Sequence, residues 1–161
     1  MVNSSKRDVT LLLHNIRSEH NVGSIFRTAD AAGISKIYLS GYTPTPVDRF
    51  ARPTKGIAKV ALGAEKSIPW EYKKSALVLL KLLKKEGFFV IALEQDARAL
   101  DYKKIQLKEK SVIILGEEVS GISKKLLDLA DQIAVIPMRG KKESLNVSVA
   151  AGIALFRMLG I

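Results

Sequence analysis

Short, almost wholly apolar runs alternate along this chain with longer stretches whose apolar residues recur every three or four positions. Val9-Thr10-Leu11-Leu12-Leu13 predicts a strand buried on both faces, because a half-exposed strand would alternate polar and apolar residues. It passes through His14 to His20 into a helical pattern in which Val22, Ile25, Phe26 and Ala29 share one face and Gly33 is the stop. Ile37-Tyr38-Leu39 predicts a second strand. Residues 41–56 hold Pro44, Pro46 and Pro53 among Arg49, Arg52 and Lys55, a composition that predicts a long basic loop. From Glu71 to Glu86 the spacing of Ala76, Leu79, Leu80 and Leu83 predicts one amphipathic helix, stopped by Gly87. Further strands are predicted at 88–93, 111–115 and 133–136. A glycine-punctuated acidic loop at 116–121 leads to a short helix that Ser123 would cap, and Leu145 to Leu159 predicts a closing helix that is apolar nearly all round.

Continuous apolar strands alternating with helices predict an α/β fold with a mainly parallel sheet covered by helices on both faces. In such sheets ligands bind beyond the carboxyl ends of the strands, here from Asn15, Glu94, Gly116 and Pro137 onward. Polar Ser144 and Asn146 at the start of an apolar helix need partners, and a ligand is one way to supply them.

The 161 residues fit one domain spanning 1–161, with no separate RNA-binding domain expected. With no cysteine, disulfides, thiolate metal sites and cysteine nucleophiles are excluded, and with His14 and His20 as the sole imidazoles no metal site is expected. The segment Met1–Asp8 lacks the apolar core of a signal peptide, and no run approaches the roughly 20 apolar residues of a membrane span. A cytoplasmic location is the expectation. The 26 Lys and Arg against 16 Asp and Glu give a formal charge of +10, which points to a polyanionic partner or to a lysine-rich solvated surface.

No Gly-x-Gly-x-x-Gly follows the first strand and no phosphate-cradling Gly-Lys-Ser/Thr loop occurs, so neither a Rossmann dinucleotide site nor a P-loop is supported. Three other segments stand out: Asn21-Val22-Gly23-Ser24-Ile25-Phe26-Arg27-Thr28-Ala29, Leu115-Gly116-Glu117-Glu118-Val119-Ser120-Gly121-Ile122-Ser123, and Ile136-Pro137-Met138 through Ser144-Leu145-Asn146-Val147-Ser148. In order, spacing and position at strand ends they resemble the three signature motifs of the SpoU (TrmH) family, ribose 2′-O-methyltransferases of the SPOUT class. The resemblance implies a deep trefoil knot in the C-terminal half, S-adenosylmethionine as cofactor, a homodimer whose catalytic pocket draws on both subunits, and tRNA or rRNA as substrate.

The resemblance also implies roles for residues. Arg27, Asn21, Glu118, Ser144 and Asn146 would be catalytic. The backbones at Leu93, Gly116, Ile136, Met138 and Leu145 would hold the cofactor, with Gly116 allowing a flat ligand to approach closely. Arg49, Arg52, Lys55, Lys59, Arg139, Lys141 and Lys142 would contact RNA phosphates. Each residue also has an ordinary structural reading: Arg27 in an ion pair with Asp30, Asn21 as an N-cap, Glu117 and Glu118 solvated in a loop, Ser144 and Asn146 as cap and first-turn groups. An arginine is protonated at essentially every physiological pH, so positioning and charge stabilisation suit Arg27 better than proton removal, which stays open. A base methyltransferase of the same class and a catalytically silent RNA-binding protein are the competing readings.

Overall fold

The fold was described from a computed structural model, for residues 7–161. The leader-free reading of Met1–Asp8 falls, for residues 1–6, outside the described residues. Among the described residues no helix is long and apolar enough to cross a membrane.

The apolar runs become the strands of one seven-stranded sheet in which every pairing is parallel. In chain order the elements are β1 (Asp8–His14), α1 (Glu19–Ala32), β2 (Lys36–Ser40), α2 (Lys55–Ala61), α3 (Ala64–Ser67), β3 (Trp70–Lys73), α4 (Ala76–Lys85), β4 (Phe89–Leu93), β5 (Leu100–Asp101), β6 (Lys110–Leu115), α5 (Lys124–Leu129), β7 (Gln132–Val135) and α6 (Val147–Leu159). The sheet order is β3-β2-β1-β6-β4-β7-β5. Thus β6 and β7, although late in the chain, lie between earlier strands rather than at an edge.

Strand geometry sends successive side chains to opposite faces, and each face has its own core. Leu11, Leu13, Ile37, Leu39, Ile91 and Ile113 pack with α1, α2 and α6 on one side. Leu12, Val90, Ala92, Val112 and Ile114 pack with α4 and α5 on the other. The expectation of a parallel sheet covered on both faces is met.

The structure corrects several element boundaries. The helix predicted from Glu71 starts at Ala76, where the Ser75 hydroxyl accepts the Val78 amide at 3.2 Å. Trp70–Lys73 is instead the edge strand β3, in register with β2 through Ile37↔Trp70 and Leu39↔Tyr72. Its aromatic residues at alternate positions suit a strand, and the helical period of 76–83 masked that boundary. The basic loop ends two residues early, with Lys55 opening α2, and the fifth predicted strand stops at Val135. Two short elements, α3 and β5, carried no periodic signal because they span four and two residues. The closing helix begins at Val147, with Asn146 as its N-cap.

Helix α1 is anchored at both ends. The Ser18 hydroxyl accepts the Asn21 amide at 3.2 Å, so Ser18 and not Asn21 is the N-cap, and Gly33 takes the left-handed conformation that ends the helix. The Glu19 carboxylate accepts the Gly56 amide at 3.1 Å and ties α1 to α2. The two helices touch at Gly23, where a Cβ would lie 2.6 Å from the Ile57 carbonyl oxygen and 3.1 Å from the Val60 Cβ. A Gly23→Ala variant must therefore push backbone apart. The expected cost is about 1–3 kcal/mol, read as a lower unfolding midpoint in denaturant; an unchanged midpoint would contradict this packing.

Candidate active site

The carboxyl ends of β4, β6 and β7, together with the segment between β7 and α6, enclose a cleft of about 280 Å³. All the residues expected to hold a cofactor line it, namely Leu93, Gly116, Ile136, Met138 and Leu145, as do Glu118 and Ser144. Leu93, Leu115, Val135, Ile136 and Val147 provide apolar wall, while Glu94, Glu117, Glu118 and Glu143 provide carboxylates. No lysine or arginine is among these lining residues. In a protein of formal charge +10 this is an acidic recess suited to a ligand with an apolar body and a positive charge.

Gly116, on the cleft wall, is also required by the packing of its own loop. A Cβ there would lie 2.5 Å from the Ile122 side chain and 3.1 Å from the Gly121 backbone, so the glycine lets its own loop fold back, and the cleft wall follows from that fold. Glu94 organises the same loop, because its carboxylate accepts the Ile122 amide at 2.9 Å and the Gln95 amide at 2.8 Å. Gln95 donates in turn to the Glu143 carbonyl across the cleft mouth. Sequence reasoning assigned Glu94 and Gln95 no role; their one signal was a polar pair directly after a buried strand.

Three of the predicted catalytic residues form a directional chain of hydrogen bonds. The Asn146 side-chain oxygen accepts the amides of Ser148 at 2.9 Å and Val149 at 3.4 Å and the Ser148 hydroxyl at 2.6 Å, so it faces the start of α6. Its Nδ2 is thereby left to donate to Asn21 Oδ1 at 3.1 Å, and Asn21 Nδ2 donates to Glu118 Oε1 at 2.8 Å. Capping and site-building are one arrangement at Asn146, whereas Asn21 caps nothing.

Arg27 stands apart from this chain. It is exposed on α1 and makes no hydrogen bond or ion pair among the described residues, so the alternative pairing with Asp30 is not formed. The structure of one chain joins Asn21, Glu118 and Asn146 by hydrogen bonds; of these Glu118 lines the cleft, whereas Asn21, Asn146 and Arg27 do not, and Arg27 lies outside the hydrogen-bonded chain as well. Of the predicted RNA contacts, Arg49, Lys55, Lys59, Arg139, Lys141 and Lys142 are exposed. Arg52 is exposed too, but it pairs with Asp48 at 2.9 Å.

A second polar group lies beside the acidic loop, at the ends of β1 and β2. Thr43 Oγ1 accepts the Ile16 amide and donates to the Leu13 carbonyl, both at 3.0 Å, and Asn15 Oδ1 accepts the Tyr42 amide at 3.1 Å. The Ser120 hydroxyl, then Tyr42 and Arg17, hold the Glu117 carboxyl below the usual carboxylate range; Arg17 sits 3.9 Å from it. The Glu117 carboxylate is accordingly not simply solvated. His14 Nδ1 lies 2.8 Å from Ser40 Oγ, and burial pushes its pKa below the ordinary 6.5.

A parallel α/β sheet with its cleft beyond the carboxyl ends of β4, β6 and β7 and a polar chain from two helices defines a class of ligand-binding α/β proteins. Comparison with known proteins narrows the class. The family model described as "SpoU rRNA Methylase family" matches residues 8–156. The chain belongs to that family. It is 31% identical over 151 residues to the tRNA (guanosine(18)-2′-O)-methyltransferase of Aquifex aeolicus, covering 94% of this chain and 68% of that protein. It is 34% identical over 149 residues to the 23S rRNA (guanosine-2′-O-)-methyltransferase RlmB of Pseudomonas aeruginosa, covering 92% of this chain and 57% of that protein. Among solved structures, the AdoMet-bound rRNA methyltransferase of Sinorhizobium meliloti superposes with a TM-score of 0.83 at 31% identity, over 94% of this chain and 55% of that one. The chain thus spans between about half and two thirds of the length of these relatives.

The His14 environment gives a pH dependence with a definite sign. Since folding lowers its pKa, the unfolded chain binds the proton more tightly; stability is full above the ordinary 6.5 and falls as pH drops below it. Denaturant unfolding at about pH 7.5 and about pH 5.5 should show this loss, and His14→Gln should shrink it. An identical loss in the variant would remove His14 as its source.

Proposed function

We propose that this protein transfers the methyl group of S-adenosylmethionine to a ribose 2′-hydroxyl of tRNA or rRNA. The observation that carries this reading is the hydrogen-bonded junction of three distant segments beside the cleft: Asn21 of α1, Asn146 at the head of α6, and Glu118 of the acidic loop, which lines the cleft itself. The functions named for the Aquifex and Pseudomonas relatives support it. The cofactor fits what lines the cleft, with apolar walls for adenine, main-chain groups around Ile136, Met138 and Leu145 for its edge, and carboxylates for its positive charges.

When bound, S-adenosylmethionine supplies an electrophilic methyl on a sulfonium. That methyl would pass to the 2′-oxygen, the carbon–sulfur bonding pair staying with sulfur, and the residues of this chain would bind and orient the two reactants for the transfer. The 2′-hydroxyl proton would pass to solvent water, and the negative charge developing on the oxygen would need a cation. Arg27 meets that need, and it also suits a neighbouring phosphate. Glu118, held by Asn21, and Ser144 at the cleft wall orient the ribose and cofactor ends, and Asn146 keeps Asn21 turned toward Glu118. Holding both reactants in line provides much of the acceleration.

Arg27 reaches such a site only if a second copy brings its own cleft to α1, so the functional unit is a homodimer. Supporting this, α6 exposes Val149 (49%) and Ile153 (38%) beside α1, and Gly152 faces Thr28, where an added Cβ would be 3.8 Å from its Cγ2. Small and apolar residues on neighbouring helices form a face that another helix pair can approach. The insertion of β6 and β7 between earlier strands supports a trefoil knot in the C-terminal half. Arg49, Arg52, Lys55, Lys59, Arg139, Lys141 and Lys142 supply phosphate contacts, and the cytoplasm is where tRNA and rRNA would be met.

Incubating purified protein with total RNA and methyl-labelled S-adenosylmethionine tests the reading. Label should appear in alkali-resistant dinucleotides, because methylation of the 2′-oxygen blocks cleavage of the adjacent phosphodiester. Arg27→Ala should lower transfer roughly 100- to 1,000-fold while RNA retention on filters persists. Label recovered on a base, or none at all with intact RNA binding, would sink the proposal.

A further inference from the structure

The loop between β2 and α2 carries a feature that the methylation chemistry does not use. Phe50 is 62% exposed, yet the backbone beneath it is closely fixed. The Asp48 carboxylate accepts the amide of Phe50 at 2.8 Å, the amide of Arg52 at 3.0 Å and Arg52 Nε at 2.9 Å. Asp48 N donates to the Arg52 carbonyl at 2.8 Å, Ala51 sits in the left-handed region at φ 60°, and Val47 bridges Pro53. One turn of chain, stapled by one carboxylate, thus holds a large apolar ring out into solvent. An isolated exposed leucine or valine needs no explanation, whereas a ring on a fixed turn loses little entropy when something covers it.

The charges around the ring indicate what would cover it. The guanidinium carbons of Arg49 and Arg52 lie 4.8 and 5.0 Å from the ring centroid. From residue 41 to 64 the sequence holds Arg49, Arg52, Lys55 and Lys59 against Asp48 as its single acid, and Asp48 is occupied by Arg52. Both guanidinium groups lie over the ring and belong to exposed side chains, a combination complementary to a nucleotide whose base displaces a guanidinium from the ring, or stacks on its plane, while its phosphates meet the charges. An apolar protein partner would bury the same arginines without compensation. Phe50 is not among the residues lining the acidic cleft of its own chain, so the base on it is bound apart from that cleft.

We propose that Phe50 is a stacking platform for an unpaired base of the structured RNA substrate, with Arg49 and Arg52 closing on the flanking phosphates. This rests on the RNA-methylation reading above. It assigns the loop a part in choosing RNA by an unstacked nucleotide bound apart from the acidic cleft of its own chain.

Equilibrium binding of total tRNA and of rRNA fragments by wild type, Phe50→Ala, Phe50→Trp and Arg49→Gln, each at two salt concentrations, is the test. Stacking of one base carries roughly a 5- to 150-fold factor in affinity and releases no counterion. Phe50→Ala should therefore weaken binding by that factor with an unchanged salt slope, and Arg49→Gln should reduce the slope by about 1. Phe50→Trp should keep affinity and show indole quenching by RNA beyond that of Trp70, the sole tryptophan of the wild type. Wild-type affinity in Phe50→Ala overturns the platform, as does altered self-association of that variant in sedimentation, which would assign the ring to a second copy. Wild type that binds RNA but transfers no methyl sinks the catalytic reading while the Phe50→Ala comparison still decides the platform; wild type that binds no RNA sinks both.

Discussion

The carboxamide of Asn146 serves two masters, and its geometry leaves no freedom in how. Its oxygen must face α6, because the amides of Ser148 and Val149 have no carbonyl one turn earlier to accept them. Its nitrogen must then face outward, where Asn21 Oδ1 receives it, and Asn21 must present its own nitrogen to Glu118. The pairs so joined are 125 and 97 residues apart in the chain. A helix start thereby sets the orientation of a side chain on another helix and of a carboxylate on a loop.

This chain of bonds has meaning only because the parallel sheet brings the three segments to one edge. Every strand points the same way, so the turns after β1, β4, β6 and β7 open on the same side. Those turns are then held by side chains reaching backbone rather than by regular structure: Thr43 and Asn15 after β1 and β2, Glu94 after β4. Such bonds position loops that sheet hydrogen bonding cannot reach, and they make a cleft without secondary structure of its own.

The distribution of charge separates two kinds of ligand. Carboxylates line the recess, whereas the exposed lysines and arginines stand outside it, on the β2–α2 loop and on the segment before α6. A cationic small molecule and a polyanion are favoured at different places on one surface, as a reaction between a sulfonium and RNA requires. Arg27, the one lysine or arginine of α1, is exposed and lies outside the recess in a single chain.

The parallel α/β class and both faces of the core were readable from the order of residues, because burial on both sides writes itself as unbroken apolar runs and strand ends carry the polar exceptions; the residues lining the cleft came from the resemblance of three motifs to a known family. The absence of an Arg27–Asp30 pair, the packing of the loop against Gly116, and the parts of Glu94 and Gln95 were not. Each depends on which atoms meet once the chain is folded: a Cβ against Ile122 in the same loop, a carboxylate against an amide 28 residues on. The helix predicted from Glu71 failed for a related reason, since Trp70–Lys73 is a strand only because β2 lies beside it with unpaired backbone groups. Local pattern specifies what a segment buries; the neighbour that satisfies its remaining hydrogen bonds is set by packing of the whole chain.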